Sequence, residues 1–479
     1  PRDGSLVIKG RWLLTTKRDE DKKVIKRKMR WVAKGYTQVE GKHFVDTFAN
    51  VARTESLRVV LAKAAHNGDV IHQFDVESAF LYGDIDIDGL LVTIPDGYGD
   101  GGDNVWRLKK SLYGLKQSPR CWAKTFNEFL TGIGFFKSDS DECLYVYKKG
   151  GNYIYLIVHV DDGLLVSNSL ETLDWFKKEL LARFKSKYET NPRFFLGCNI
   201  DRLPNGSIAL SQRTAISNAI TTYSNDLPKK HPTVPISPLT DLTAATDEEF
   251  LLASSLPYRA LLGVLMWFAV GTRLDIAQAI GELGRSTEKW STRHYFALQQ
   301  VLHYLAGTMD YRLLYRYNTS HGMVPQVFVD ANWAGDVETR RSTSGYVILI
   351  AGAAVSWASR RQPTVASSTT EAEYMAVSEV IKQVIWTRRL VGDLGFKINE
   401  ATIIQCDNRG AVFLCANATD HKRMKHIDIK HHFIREKIES GEAKMKLIVT
   451  GENCSDFLTK LLYKPSHFFC VQAVGLVER

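Results

Sequence analysis

Hydrophobic and polar positions change their period several times along this 479-residue chain. Residues 12–34 alternate on either side of "DED", which predicts a β-hairpin with arms "WLLTTKR" and "KKVIKRKMRWVAK". "TESLRVVLAKAAHNG" has the spacing of an amphipathic helix ending at Gly68. "VIHQFDVESAF" alternates as a strand and puts Asp75 near its end. "VWRLKKSLYGLKQSPRCWAKTFNEFLTGIGF" predicts a short strand, a turn ending at Pro119 and a helix. The apolar run in "YIYLIVHVDDGLLVSNS" predicts a strand that ends in Asp161 and Asp162, "WFKKELLARF" a helix, and "FFLGCNIDRL" one strand closed by "PNG".

Between Ser211 and about Gly307 the period is helical in "SQRTAISNAITTY", "YRALLGVLMWFAV", "LDIAQAIGELGRS" and "TRHYFALQQVLHYLAG". The Pro-rich "LPKKHPTVPISPLT" reads as a flexible link after the first of these. Strands return from about residue 311 in "PQVFVDANWAG", "SGYVILI" and "AAVSWASR". A helix from Thr370, the strand "TIIQCD", two helices, the strand "AKMKLIVT" and a last helix from Ser455 follow, which makes one complete α/β domain.

Length alone predicts about two to four domains. The net charge of +9 admits a polyanionic partner such as nucleic acid. Between Lys22 and Lys34 there are seven basic residues and no acid, with Lys28, Arg30 and Val32 on one face of the predicted strand and Met29, Trp31 and Ala33 on the other. Such an arm suits either a solvated face or a grip on phosphates. Seven scattered cysteines without a CxxC argue for reduced thiols. The longest apolar stretch, "ALLGVLMWFAVG", is too short to span a bilayer and predicts a buried helix. Pro1 in place of Met leads us to expect a processed product or an excised segment.

The candidate chemistry lies in carboxylates. Adjacent Asp161 and Asp162 repel each other unless a cation neutralises them, and Asp75 at the end of another strand completes a hard-oxygen set suited to Mg²⁺. A solvated hairpin turn also accounts for the "DDG". In the last domain Asp330 and Asp407 end strands and Asp456 starts the last helix. The fourth acid is Glu371 or Glu373. Glu373 heads the stripe Val377, Val380, Ile381, Val384, so it faces the sheet; Glu371 sits three residues after Ser368, as in a capping box.

These residues carry a family resemblance. "KMRWVAKGYTQVEG", "FDVESAFLYG", "LKKSLYGLKQSPRCW", "HVDDGLLVS", "SWASRRQPTVASSTTEAEYMA", "CDNRGAV" and "KHIDIKHHFIRE" resemble, in order and spacing, the reverse transcriptase–ribonuclease H segment of copia-type LTR retrotransposon (Pseudoviridae) polyproteins. The resemblance implies an α+β multidomain fold. A right-hand polymerase would comprise fingers and palm (1–204) and a helical thumb with a short connection (205–320), followed by an α/β ribonuclease H-like domain (321–479). It implies an RNA-directed DNA polymerase with ribonuclease H activity, working with two Mg²⁺ ions per site, which Mn²⁺ can replace. Asp75, Asp161 and Asp162 match the polymerase triad, and Asp330, Glu373, Asp407 and Asp456 the nuclease quartet. Phe80 matches the aromatic gate against a 2′-hydroxyl. Lys28 and Arg30 resemble the residues that hold the triphosphate, and Tyr113, Gln117 and Ser118 lie beside the nucleotide pocket. Phe195, Leu196 and Gly197 in "FFLG" resemble the primer grip. The implied partners are RNA template, RNA–DNA hybrid, DNA duplex, dNTPs and a tRNA primer, with the integrase of the same polyprotein and a homodimer as further expectations. The implied location is cytoplasmic, within virus-like particles, without a membrane.

Two departures stand out. His159 occupies a place where the family has Tyr or Phe, and we expect its imidazole to serve as a flat, hydrogen-bonding substitute at the primer end. The loop "VTGENCSD" lacks the histidine that some ribonucleases H carry before the last carboxylate. His421, His426, His431 and His432 suggest zinc, but without a CxxC and with spacing that does not align them on one helix face, a phosphate-contacting or structural helix is favoured. The rival readings are a nucleic-acid-binding remnant with decayed catalysis, and a nuclease with an inactive polymerase scaffold.

Overall fold

The computed structural model describes residues 7–18, 23–99, 104–224, 227–416 and 428–479, and the chain forms two compact units. Unit 1 comprises Pro1–Arg53 and His72–Thr190, and unit 2 comprises Thr54–Ile71 and Asn191–Arg479.

Unit 1 begins with the expected hairpin. Strands β1 (Gly10–Arg18) and β2 (Val24–Ala33) pair antiparallel, with Trp12 opposite Trp31 and their rings edge to face at 5.3 Å. The end of β2 is locked onto a distant loop. The Ala33 N–H donates to the Tyr113 carbonyl at 2.8 Å, and a Cβ on Gly114 (φ +89°) would meet Ala33 O at 2.2 Å. Only glycine supplies both that φ and that approach, which explains the glycine of "SLYGLKQSP" and sets Tyr113 beside β2.

Helix α1 (Thr54–Asn67) belongs to unit 2, and β3 (Val70–Val76) follows it. The short strands β4 (Leu91–Thr93) and β5 (Val105–Arg107) pair with each other. Next come α2 (Ser118–Gly132), β6 (Phe136–Lys137), β7 (Leu144–Lys149), β8 (Asn152–His159), β9 (Asp162–Ser167), α3 (Leu170–Arg183) and β10 (Ser186–Glu189). The main sheet runs β10-β3-β9-β8-β7-β6. Both helices pack on it through an aromatic cluster in which Phe74 of β3 lies 5.9 Å from Phe126 of α2 and 5.9 Å from Phe176 of α3.

In unit 2, α1 departs from expectation. It is not amphipathic: every residue from Ser56 to Ala65 is buried, Arg58 and Lys63 included. The Arg58 guanidinium donates to the carbonyls of Val355 (2.7 Å), Val270 (2.7 Å) and Gly271 (2.8 Å) and lies 3.8 Å from the centre of the Trp357 ring; Lys63 pairs with Asp69. The polar positions that suggested a wet face are buried because partners meet each charge.

"FFLGCNIDRL" is likewise not one strand. Leu196 (φ +48°) and Gly197 (φ +81°) turn it into a hairpin of β11 (Phe194–Phe195) and β12 (Cys198–Arg202). Then come β13 (Ile208–Ser211), α4 (Arg213–Tyr223), α5 (Asp247–Ala253), α6 (Tyr258–Gly271), α7 (Ala277–Gly284), α8 (Thr292–Gly307) and β14 (Arg312–Tyr315). Helix α5 escaped the hydrophobic pattern, although Thr246 and Glu249 form a capping box at its start. Helix α6 is only half buried, with Met266, Trp267 and Val270 exposed. Trp267 covers the β11–β12 turn so closely that a Cβ on Gly197 would lie 2.4 Å from its ring. Among the described residues no single helix is long and apolar enough to cross a membrane.

The rest of unit 2 holds β15 (Gln326–Asn332), β16 (Thr343–Ile350), β17 (Ala353–Arg361), α9 (Thr369–Asp393), β18 (Thr402–Cys406), α10 (Arg409–Ala416), α11 (Asp428–Glu439), β19 (Ala443–Leu447), α12 (Lys464–Ala473) and β20 (Leu476–Val477). The sheet order is β17-β16-β15-β18-β19, antiparallel over its first three strands and parallel from β15 through β18 to β19. Strand β20 instead pairs with β14 and closes a second sheet, β11-β12-β13-β14-β20. The expected last helix from Ser455 starts only at Lys464, and Asp456 sits on a single 3₁₀ turn, Asp456–Leu458. All seven cysteines are buried and unpaired.

Two candidate carboxylate centres

The first centre forms where the ends of the interior strands β3, β8 and β9 meet in the main sheet of unit 1. Asp75 is the penultimate residue of β3. His159 and Asp162 pair across the β8–β9 hairpin, which leaves Val160 and Asp161 as its turn. Val160 is β-branched yet has φ +59°, a conformation that costs about 1–3 kcal/mol and marks functional turns. Two hydrogen bonds hold it: Trp122 Nε1 donates to the Val160 carbonyl (2.6 Å) and the Val76 N–H to the Asp161 carbonyl (2.9 Å). The glycine of "DDG" is not a turn residue. A Cβ on Gly163 would come within 2.1 Å of the Phe74 ring, so the glycine is there to let β3 and β9 pack.

Burial raises the Asp161 carboxyl above its ordinary pKa, Asp75 adds to this, and His159 and Arg30 oppose it. Arg30 of β2 stands 5.4 Å from the centre of the Tyr113 ring, and Tyr113 lies 5.0 Å from Phe80. Burial raises the Tyr113 phenol, Arg30 opposes that, and Asp161 and Asp75 add to it, so the same groups surround it. Phe80 is delivered by a short 3₁₀ turn after Ser78, itself left-handed at φ +60°. Asp75, Asp161, Arg30, Tyr113 and Phe80 are thus brought together. Lys28 is half-buried two residues before Arg30 on the same face of β2, and Asp162 is half-buried at the start of β9.

Two of the expected pocket residues are packed into the protein. Gln117 is fully buried: its Oε1 accepts from Gln38 Nε2 (2.9 Å) and its Nε2 donates to the His43 carbonyl (2.7 Å). Ser118 is also fully buried, and its hydroxyl donates to the Leu112 carbonyl (2.6 Å). Both side chains brace the loop that carries Tyr113. In unit 2, Phe195 of the "FFLG" hairpin is a buried core residue, and Leu196 and Gly197 form the turn.

The second centre lies wholly in unit 2. Asp330 on β15, Glu373 on α9 and Asp407 just after β18 each place a carboxylate oxygen within 4.8 Å of the others. Glu373 faces the sheet, as its stripe predicts. Glu371 is at the cap: its N–H donates to Ser368 Oγ (3.2 Å), and its carboxylate accepts from the Ser367 N–H (2.7 Å) and hydroxyl. Burial, with Asp330 and Asp407 next, pushes Glu373 up to about 9. Asp456 is pushed up to about 7 by burial and Asp330, against Lys460.

Three residues of this centre escaped the sequence reading. Thr459 Oγ1 donates to Asp330 Oδ2; Asn453 Nδ2 donates to the Val329 carbonyl (3.0 Å) and reaches Asp407 Oδ1 at 3.5 Å; Lys460 Nζ lies 3.3 Å from Asp456 Oδ1 and 3.6 Å from Asp330 Oδ2. The four-residue step from Asp456 to Lys460 was the available signal. His421 and His426 lie outside the described residues, His431 lies on α11, and His432 is exposed.

Comparison with known proteins agrees with this architecture. A family model described as reverse transcriptase (RNA-dependent DNA polymerase) matches residues 2–235. The chain is 34% identical over 481 residues to the Retrovirus-related Pol polyprotein from transposon RE2 of Arabidopsis thaliana, covering all of this chain and 32% of that protein. It is 34% identical to the corresponding polyprotein from transposon TNT 1-94 of Nicotiana tabacum, over 99% of this chain and 36% of that protein. The chain thus spans about a third of the length of these polyproteins. It is also 31% identical to the putative transposon Ty5-1 protein of Saccharomyces cerevisiae, over 65% of this chain and 100% of that protein. In fold, a foamy viral protease-reverse transcriptase solved in complex with double-stranded DNA matches with a TM-score of 0.51 at 14% identity, over 88% of this chain and 63% of that one. The chain therefore belongs to the reverse transcriptase family of copia-type retrotransposon Pol polyproteins.

Proposed function

We propose that this chain is an RNA-directed DNA polymerase that also cleaves the RNA strand of an RNA–DNA hybrid. The observation that carries the polymerase reading is the convergence on the Val160–Asp161 turn. Two acids, a cation and two aromatic rings meet there from five separate segments, an arrangement that a solvated turn does not require. On this reading residues 1–204 are fingers and palm, 205–320 thumb and connection, and 321–479 the ribonuclease H domain.

The acids of both centres would suit divalent metal, and in the second three of them converge within 4.8 Å of one another. Their donors are hard carboxylate oxygens, packed so that burial and like charge raise Asp161, Glu373 and Asp456 in the absence of a cation. Asp75, Asp161 and Asp162 would hold it in the first centre, and Asp330, Glu373, Asp407 and Asp456 in the second, with Mg²⁺ the ion best matched to so many oxygens. When bound, Mg²⁺ activates a hydroxyl or water and stabilises a leaving phosphate oxygen.

The chain's own residues supply positioning. Arg30 offers a forked donor to the phosphates of a dNTP and Lys28 a second charge behind it. Tyr113 and Phe80 wall the sugar, where a bulky ring excludes the 2′-hydroxyl that distinguishes a ribonucleotide. His159, two residues before Asp161, would meet the primer end. The basic β1–β2 hairpin grips template and duplex backbone, so binding falls with salt.

The test is primer extension by the intact chain on an RNA template with dNTPs and Mg²⁺, with the template strand followed in parallel. The primer should grow and the template should be cut. Cutting without growth would overturn the polymerase reading.

A further inference from the structure

Among the described residues, Lys460 is the only cation in an ion pair with any of the four acids of the second centre. Its Nζ sits between Asp456 Oδ1 (3.3 Å) and Asp330 Oδ2 (3.6 Å). The position is built. The 3₁₀ turn Asp456–Leu458 sets Asp456 and Lys460 on one side, and the neighbouring Thr459 hydroxyl clamps Asp330 Oδ2. Two of the four carboxylates therefore share one ammonium. The Lys460 side chain remains 36% exposed, so its flexible stem has a route out to water.

We infer that Lys460 is a resident counter-ion of the second centre: its ammonium occupies the Asp330–Asp456 side of the cluster and yields that place to a divalent cation. This rests on the reading of the four acids as metal ligands. The ammonium lowers the repulsion that would otherwise splay the acids, and it competes with the ion for two of them. Its removal should therefore tighten metal binding while it destabilises the metal-free protein. A purely structural lysine would lower stability without tightening binding.

The test is calorimetric titration of the full-length chain with Mg²⁺, without nucleic acid, in an Asp161→Asn background that weakens the first centre. Lys460→Met should bind Mg²⁺ about tenfold more tightly than Lys460, the order expected for one unit charge a few ångströms away in a partly solvated site. Lys460→Arg, which keeps the charge, should stay near the parent. Lys460→Met should also melt at a lower temperature in EDTA and recover more on adding Mg²⁺ than the parent does. If Lys460→Met misfolds, Lys460→Gln replaces it with the same expectation. Binding that is unchanged or weaker in the folded neutral variant would overturn the inference. A parent whose Mg²⁺ binding is unaffected by Asp407→Asn would overturn the metal-site reading itself, and the inference with it.

Discussion

The two carboxylate centres differ in how they handle their own charge. In unit 1, Asp161 sits on a turn among half-exposed groups, and Arg30 and His159 counter the effect of burial and of Asp75. In unit 2, Asp330 and Glu373 are buried, and the carboxyls of Glu373 and Asp456 are pushed up to about 9 and about 7; a backbone hydrogen bond from Ala331 opposes the first and Lys460 the second. The first centre has aromatic walls beside its acids; the second has further acids and a lysine. An arrangement of the first kind suits a pocket that must admit and discriminate a small polyanion. One of the second kind suits a tight cation site presented to a backbone.

The sharpest way to break this comparison is to disable one centre alone. Asp407→Asn should lower RNA cleavage by about 10³-fold, the scale of losing one electrostatic contact to the reacting groups, and leave primer extension within about twofold. Equal loss of both activities would mean the centres are not independent. Next in size, Phe80→Ala should raise the use of ribonucleotides relative to dNTPs by about 10–200-fold, the range available to a steric pocket. Steady-state competition assays measure this, and the cleavage rate should not change.

Gly163→Ala drives a Cβ into the Phe74 ring. It should destabilise unit 1 by about 1–3 kcal/mol, as overpacking does, with denaturant melts and extension showing the loss. A further effect is in pH. The folded pKa of Glu373 lies above its unfolded value, so the folded protein holds a proton that the unfolded chain releases. That contribution to stability is full below about pH 4.5 and is lost as pH rises through about 9. Melting temperatures in EDTA should fall across this window, and Glu373→Gln should flatten the slope.

Much of both centres was legible in the sequence because acids at the ends of apolar strands are conspicuous, and a helical stripe separates Glu373 from Glu371. Charges that are buried with their partners misled the reading. Arg58 and Lys63 made α1 look amphipathic, and nothing in the local pattern discloses carbonyl acceptors some 200 residues away in sequence or more, at Val270 and Val355. The local pattern equally hides that the polar atoms of Gln117 and Ser118 meet His43, Gln38 and Leu112. Nor could alternation show that Leu196 and Gly197 break a strand, since the turn depends on two left-handed residues, one of them not glycine.

The most direct measurement of the central claim is a single reaction on one substrate, a labelled RNA template annealed to a differently labelled DNA primer, with the Asp161→Asn chain and the unaltered chain side by side. The account predicts that Asp161→Asn stops primer growth and leaves template cleavage at close to the unaltered rate. Primer growth that survives the substitution, or cleavage that disappears with it, would contradict the assignment of two separate carboxylate centres to two separate reactions.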